Sequence, residues 1–344
     1  MSSLKVNEFM LNLSKDLVEK KKVSESTASA YIKSLYTLNN KSPFKNLTFI
    51  KNTDEIMKKI GEYADNTQKG ILASITSVLS LFKEKPTYKK VYNFYYDAMM
   101  GKAKAMKEGG KDPAEKTDKE KENWVDWDEV KRKLSELQED VAQFSSEKSI
   151  TDSKFEKLLH YTILSLYTLI QPRRNQDYMD MYVVKKWKED MPKDKNYLDI
   201  DPKAKSWRFI FNKFKTAKTY GTQIIEINDE LENVLSMYIR NHPQFKSLKK
   251  SGDEIPFLVH SDGKPLTAVN AITRVLNKIF GRKIGSSMLR HIFLSSKYDI
   301  DEMSADASAM GHSLNEQKEY MRRKDDDEKK PASEGENIIN VASS

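Results

Sequence analysis

The sequence contains no cysteine. Disulfide bonds, thiolate zinc ligands and cysteine nucleophiles are therefore excluded, and the composition is typical of a reducing compartment. Long apolar runs are also absent, because the longest, near residues 161–170, is shorter than the ~20 residues that cross a bilayer. Residues 1–22 are polar and charged and lack the apolar core of a signal peptide. These absences predict an intracellular protein without a membrane segment.

Positive charge, in contrast, is in excess. Lys and Arg number 59 against 51 Asp and Glu, which gives a formal net charge of +8 and a pI near 9.1. Such an excess suits a polyanionic partner, and nucleic acid is the first candidate. A basic protein that has no such partner is the alternative. The 344 residues are enough for two domains.

The first domain is predicted to span residues 1–104 and to be helical. Apolar residues recur there at helical spacing in three stretches, residues 24–36, 66–82 and 88–100. Residues 105–123 are rich in Lys, Glu, Gly and Asp and have almost no apolar side chains. Such a segment cannot bury enough surface to offset its ordering entropy, so it is predicted to be a flexible linker.

The second domain is predicted to span residues 124–323. A strongly apolar helix at 153–171 is expected at the centre of its core, and three β-like segments follow at 197–200, 207–214 and 222–227. Helical patterns return at 229–241, 267–280, 286–298, 303–310 and 315–323. The predicted fold class is mainly α with a small three-stranded antiparallel sheet, an α+β fold. The tail at 324–344 is expected to be mobile.

Cleavage and rejoining of a nucleic-acid backbone without a metal requires a particular set of side chains, and such a set can be recognised in a sequence. Moving a phosphodiester without a metal needs a hydroxyl nucleophile that becomes covalently attached. It also needs fixed cations that face the non-bridging oxygens and a proton donor for the leaving 5′ oxygen. Arg suits the second task because its planar fork matches two phosphate oxygens at once. Two Arg, a Lys, a His and a Tyr on different elements of one domain meet these demands.

The second domain carries these residue types in four segments. They are Gln-Pro-Arg-Arg-Asn-Gln-Asp at 171–177, Phe-Lys-Thr-Ala-Lys-Thr-Tyr-Gly at 214–221, Ser-Ser-Met-Leu-Arg-His at 286–291, and Met-Gly-His-Ser at 310–313 with Gln-Lys-Glu-Tyr at 317–320. In this order and at these separations they resemble the catalytic domain of the tyrosine recombinases, the phage integrase family. The resemblance covers about residues 124–323.

The first two segments correspond to the first Arg and the Lys of that family. Arg174 matches because it follows a buried helix and an acidic residue comes three positions later, and Arg173 is the alternative. Lys215 matches the Lys-Thr dipeptide that the family often has on a β-hairpin, with competitors at Lys213 and Lys218. Taken alone, the first segment is also typical of a basic helix end, and the second of a solvated turn.

The last two segments correspond to the family's His-x-x-Arg and to Gly-His-Ser followed by the nucleophilic Tyr. Arg290 matches the second Arg, but Ser287 stands where the family has His, and a hydroxyl is a poor general base at neutral pH. His291 is expected to bond within the fold rather than to touch DNA. His312 belongs to the Gly-His-Ser sequence, and Tyr320 lies eight residues beyond it.

The resemblance implies a mechanism and a set of roles. Tyr320 would attack the scissile phosphate and form a 3′-phosphotyrosine bond, which leaves a free 5′-hydroxyl. Arg174, Arg290 and His312 would stabilise the charged transition state, and Lys215 would protonate the leaving oxygen. The 5′-hydroxyl of a second strand would reverse the step. Neither ATP nor a metal nor any other cofactor is implied.

The resemblance also implies partners and a place of action. The helical residues 1–104 are similar to the core-binding domain of phage integrases, which closes over DNA. Double-stranded DNA is the implied partner, bound by a homotetramer on paired sites. The spelling of the motifs is similar to that of recombinases from eukaryotic large DNA viruses and virophage-like elements. We therefore expect the protein wherever its DNA is, in a host nucleus or at a viral replication site.

Two alternatives use much the same residues. A type IB topoisomerase also has two Arg, a Lys, a His and a Tyr nucleophile, but it relaxes supercoils instead of exchanging strands. The helical first domain argues against it, since viral enzymes of that class begin with a β-rich domain. A DNA-binding relative that has lost catalysis is the second alternative, and Ser287 is the one feature of the sequence that favours it.

Overall fold

The structure, a computed structural model, describes residues 5–109, 116–250 and 252–299. It divides into two compact units, Met1–Glu115 and Lys116–Ser344. The helices predicted at 303–310 and 315–323 and the tail at 324–344 lie outside the described residues. Within the described residues, no helix combines the length and the apolar character that a bilayer crossing requires.

The first unit is helical throughout its described residues. Its helices are α1 Glu8–Lys21, α2 Glu25–Leu38, α3 Thr53–Gly61, α4 Asp65–Leu79 and α5 Pro86–Glu108. Asn7, Ser24 and Asn52 begin the first three helices, and each accepts a hydrogen bond from the backbone N–H three residues further on. The apolar faces of these helices meet in one core, as their helical periodicity predicts.

Helices enter the segment that was predicted to be a flexible linker, residues 105–123, from both sides. Helix α5 ends only at Glu108, and a further helix, α6, spans Asp118–Asn123. Thr117 and Glu120 close a capping box at the start of α6. Lys and Glu have high helix propensity, so a lack of apolar residues did not prevent helix formation here. Residues 110–115 lie outside the described part of the chain.

The second unit surrounds one buried helix with helices and a sheet. Its helices after α6 are α7 Trp127–Ala142, α8 Asp152–Thr168, α9 Asn175–Met179, α10 Ala217–Tyr220, α11 Asp229–Arg240, α12 Ala271–Phe280 and α13 Ser286–Lys297. Its strands are β1 Met181–Val184, β2 Asn196–Asp199, β3 Arg208–Phe211, β4 Gln223–Glu226 and β5 Glu254–Pro256. Helix α8 is buried along most of its length, as its apolar sequence predicts, and it contacts α7, α11 and α12.

The sheet corrects the prediction of three antiparallel strands. The three predicted strands are present as β2, β3 and β4 and pair antiparallel. The sheet nevertheless has five strands in the order β4-β3-β2-β1-β5, and β1 pairs parallel with β2. Strand β1 escaped prediction because three of its four residues are buried, which leaves no alternation to detect. Strand β5 has three residues and ends in Pro256, which is tolerated at a sheet edge.

A buried imidazole makes the stability of this unit depend on pH. The His242 Nδ1 accepts from the backbone N–H of Gln244 at 3.1 Å, and Nε2 therefore carries the proton that it donates to the Pro256 carbonyl at 3.0 Å. Burial lowers the pKa of His242 from 6.5 to about 4. A histidine with a depressed pKa in the folded state contributes stability that is present above 6.5 and is lost as the pH falls towards 4.

We therefore expect acidification from pH 7 to pH 4 to lower the free energy of unfolding by about 3 kcal/mol through this residue. Urea unfolding followed by tryptophan fluorescence across this pH range measures the effect. His242→Gln, which keeps a polar side chain but does not titrate, is expected to lose this part of the pH dependence. An equal pH dependence in the variant would contradict the assignment to His242.

Candidate active site

Two arginines from distant parts of the chain are neighbours in the second unit. Arg174 is the residue before α9, where its carbonyl accepts from the Asp177 N–H at 3.0 Å. Arg290 lies one turn into α13, and its Nε donates to the Ser286 carbonyl at 3.3 Å. Burial lowers the pKa of Arg290, and the positive charge of Arg174 lowers it further. The two guanidinium groups, called here the arginine pair, are thus close enough to repel each other.

The arginine pair is not neutralised by a nearby acid. Among the described residues, no carboxylate lies within ion-pair distance of Arg174 or Arg290. The buried carboxylate of Asp177 acts on Arg290 only through a longer-range attraction, because its partner is Arg173. Two half-buried cations that repel each other and have no carboxylate at ion-pair distance form a site that attracts an anion with several oxygens, such as a phosphate.

Arg173, the alternative to Arg174, is committed to the fold. Its Nε donates to Asp177 Oδ2 at 3.0 Å, and a terminal nitrogen donates to Gln223 Oε1 at 2.9 Å. Its guanidinium carbon lies 3.8 Å from the ring centroid of Phe211 and 5.1 Å from that of Phe214. The side chains of Arg173 and Asp177 are 15% and 4% exposed. Arg173 therefore fastens the segment before α9 to strands β3 and β4.

Two opposing effects act on the pKa of the Asp177 carboxylate. Burial raises its pKa, and the charge and hydrogen bond of Arg173, followed by Arg174, lower it. The Asn196 side chain also donates to the Asp177 carbonyl at 2.8 Å. Asp177 is thus the acidic residue that follows Arg174 in the sequence, yet its carboxylate holds Arg173 in place.

The loop between β3 and β4, called here the hairpin loop, carries the lysine candidates. Lys213, Lys215 and Lys218 are all exposed, and Lys213 forms an ion pair with Asp180 at 3.1 Å. Within the described residues, no hydrogen bond or ion pair engages the amino group of Lys215 or Lys218. The ring centroid of Phe214, the residue before Lys215, lies 5.1 Å from the guanidinium carbon of Arg173, so the hairpin loop approaches the segment that precedes α9.

Two features fix the shape of the hairpin loop. The Thr222 hydroxyl donates to Asn212 Oδ1 at 2.9 Å across the base of the loop. At the C-terminal end of α10, Gly221 adopts φ +66°, a conformation that favours glycine over residues with a side chain. The segment at 219–221 therefore contains the end of a one-turn helix and a glycine that reverses the chain.

Ser287 lies in the first turn of α13 and is exposed. It borders a cavity of about 530 Å³ together with Lys119, Lys283 and the carboxylate of Glu120. His291, one turn further along α13, bonds to Glu120 through Nδ1 at 2.9 Å, as expected for a residue that bonds within the fold. Hydrogen bonds from Thr117 are the largest cause that lowers the pKa of Glu120, so this carboxylate accepts from both residues.

The structure thus places four of the six predicted site residues. Arg174 and Arg290 lie close enough for their charges to repel, and Ser287 precedes Arg290 by one turn of α13. Lys215 lies on a loop whose Phe214 contacts Arg173, the residue before Arg174. His312 and Tyr320 lie outside the described residues. In the described part of the chain, no group of three or more His, Cys, Asp or Glu side chains could hold a metal ion.

Comparisons of the chain with family models, with curated proteins and with solved structures give no match. The motifs and the geometry around the arginine pair are therefore the basis for assigning a reaction to this site.

Sequence reasoning missed the polar side chains that support this site from within. Tyr167 on α8, Asn175 at the start of α9 and Thr273 on α12 form a hydrogen-bonded set next to Arg174 in the chain. A functional role for Asn175 could have been predicted from the sequence, because it is a polar residue that follows two arginines at the end of an apolar helix. Tyr167 and Thr273 gave none, because their positions fit an ordinary helix face.

Proposed function

We propose that the protein is a site-specific DNA recombinase that cuts and rejoins double-stranded DNA through a 3′-phosphotyrosine bond at Tyr320. The observation that carries this proposal is the arginine pair. Two elements far apart in the chain bring Arg174 and Arg290 together on α9 and α13, without a carboxylate at ion-pair distance among the described residues. Like charges repel, so such an arrangement persists only where an anion or the rest of the fold offsets the repulsion.

The pair suits the transition state of phosphoryl transfer. The Tyr320 oxygen attacks phosphorus and gives up its proton to solvent water, the new P–O bond forms, and the bond to the 5′ oxygen breaks. The arginine forks bind the non-bridging oxygens, on which negative charge develops. Lys215 has no intramolecular partner among the described residues, and it donates a proton to the leaving 5′ oxygen. His312 and the hydroxyl of Ser287 donate further hydrogen bonds to the phosphate.

Double-stranded DNA is the proposed partner, bound by a homotetramer on paired sites. The formal net charge of +8 favours association with backbone phosphates. Binding is therefore expected to weaken steeply as the salt concentration rises. We place the protein in the compartment of the DNA on which it acts.

The deciding experiment uses nicked suicide duplexes that cover the ends of the element encoding the protein, without divalent metal. Wild-type protein is expected to give a covalent protein–DNA band on a denaturing gel, and Tyr320→Phe is expected to remove it completely because the attacking hydroxyl is gone. Tyr220→Phe, which changes an exposed tyrosine of the hairpin loop, is the matched control and should keep the band.

The outcomes separate the proposal from its alternatives. Strand-joined products distinguish a recombinase from a topoisomerase, which would relax supercoiled plasmid without exchanging strands. Salt-sensitive DNA binding without any covalent band would favour the catalytically inactive relative. A band that survives in Tyr320→Phe would show that another residue is the nucleophile.

A further inference from the structure

Partly buried hydrogen bonds connect the residue after Arg174 to α8 and to α12, the helix that precedes the one carrying Arg290. The Tyr167 hydroxyl on α8 donates to Asn175 Oδ1 at 2.7 Å, and Asn175 directly follows Arg174. Asn175 Nδ2 in turn donates to Thr273 Oγ1 on α12 at 3.0 Å. Thr273 lies against Gly285, the residue that begins α13, so closely that a Cβ on Gly285 would stand 3.5 Å from the Thr273 methyl group. One set of contacts therefore leads from Arg174 to the helix that carries Arg290.

Tyr167 also interacts electrostatically with Arg290. It is fully buried, and burial raises its pKa well above the ordinary value, so it remains a neutral donor. The Ser286 side chain and the positive charge of Arg290 act on its pKa in the opposite direction. A buried hydroxyl that loses its acceptor destabilises the fold, and Tyr167 therefore holds the Asn175 side chain in one orientation.

We infer that Tyr167, Asn175 and Thr273 are positioning residues that fix the spacing between the guanidinium groups of Arg174 and Arg290. The inference rests on the proposed function, in which this pair binds the scissile phosphate. Two forks can serve one phosphate only if their separation matches the oxygens, and a displacement of about 1 Å is enough to slow catalysis by about 10²-fold. Without the network, the repulsion between the two cations favours a wider spacing.

A neighbouring tyrosine offers a matched control. Tyr178 on α9 is as fully buried as Tyr167, and the two rings meet edge to face at 5.9 Å. Its hydroxyl, however, donates to the Leu166 backbone carbonyl at 3.3 Å and contributes nothing to the connection between the arginines. Replacement of either tyrosine by Phe removes one buried hydroxyl from the same region of the core.

The test compares wild type, Tyr167→Phe and Tyr178→Phe in single-turnover formation of the covalent adduct, in duplex affinity and in thermal unfolding. We expect Tyr167→Phe to slow adduct formation by about 10-fold or more while duplex affinity stays within about 2-fold. Tyr178→Phe is expected to leave both within about 2-fold of wild type. Equal slowing by the two variants would overturn the inference, because it would trace the effect to the stability of the core, and no slowing by Tyr167→Phe would overturn it too.

A second pair of variants keeps the test valid if Tyr167→Phe does not fold. Thr273→Val removes the hydroxyl at almost constant volume, and Thr273→Ser keeps it. We expect the Val variant to slow adduct formation by about 5-fold or more and the Ser variant to remain within about 2-fold of wild type. If Ser slows the reaction as much as Val, the methyl contact with Gly285 matters rather than the hydrogen bond, and the network does not set the spacing.

A readout without DNA separates failure of the inference from failure of the proposed function. In a titration with inorganic phosphate, followed by NMR of the arginine Nε–H groups, the Arg174 and Arg290 signals of the wild type should move with one midpoint. In Tyr167→Phe the two midpoints should separate. A single midpoint in the variant would overturn the inference. A phosphate response in a wild-type protein that forms no adduct would overturn the recombinase proposal alone.

Discussion

Replacement of Arg290 by alanine is expected to slow formation of the covalent protein–DNA adduct by about 10²- to 10³-fold. Arg290 faces Arg174 across a site that no carboxylate neutralises at ion-pair distance among the described residues. Under the proposed function its fork binds oxygens on which charge develops only as the phosphate reacts. Arg174→Ala is expected to have a similar effect. Single-turnover kinetics on a suicide duplex at saturating protein measure both rates.

The control for this experiment removes one positive charge outside the arginine pair. Arg282 is exposed and donates to the Trp124 carbonyl at 3.0 Å in the same unit. Arg282→Ala is expected to weaken duplex affinity slightly and to leave the rate of adduct formation within about 2-fold of wild type. The loss of one contact with a DNA phosphate affects binding rather than the reaction. If Arg282→Ala slows the reaction as much as Arg290→Ala, net charge and not the arginine pair governs the rate.

Replacement of Arg173 by alanine is expected to lower the free energy of unfolding of the second unit by about 3–5 kcal/mol. The reason is the Asp177 carboxylate, which is buried and would lose its ion-pair partner. The change also removes the hydrogen bond to Gln223 and the contact with the Phe211 ring. Arg174→Ala, one residue further along, is expected to cost less than about 1 kcal/mol because its half-buried side chain makes no such contacts.

Urea unfolding followed by tryptophan fluorescence measures this difference, since all four tryptophans lie in the second unit. The control is the double variant Arg173→Met with Asp177→Leu. It removes both charges and is expected to recover most of the stability, because an apolar pair of similar volume can replace a buried ion pair. A stable Arg173→Ala protein with slow adduct formation would reverse the assignment and make Arg173 the phosphate ligand.

Several elements of the fold could be predicted because their signals are local. The apolar sequence of α8 and the helical spacing in α2, α4 and α5 follow from the side chains that one helix face must bury. The three segments that became β2, β3 and β4 are neighbours in sequence and are joined by turns, so their antiparallel pairing follows from short connections. Strand β1, by contrast, pairs with β5, whose register depends on contacts across the unit.

The candidate site was predictable as a set of residue types and not as an arrangement. The motifs indicated Arg174, Lys215, Ser287 and Arg290, whose roles stay predictions, as do those of His312 and Tyr320. The spacing to Asp177 favoured Arg174 in the sequence but left Arg173 open, because the two arginines differ from the pattern by a single position. It also gave no indication that Gln223 and Phe211, on a different part of the chain, hold one of them.

The sequence by itself determined helices α2, α4, α5, α8, α11, α12 and α13, the three local strands, the absence of cysteine chemistry and the order of the basic motifs, since each depends on composition or on neighbouring residues. Only the tertiary structure decided that Arg173 pairs with the buried Asp177 and that Arg174 lies close to Arg290. Successive side chains of an extended segment point in opposite directions, and packing alone selects which direction is the core. The same holds for the bond between Asn175 and Thr273, which are 98 residues apart: their proximity depends on how α9 and α12 dock, and no local pattern encodes it.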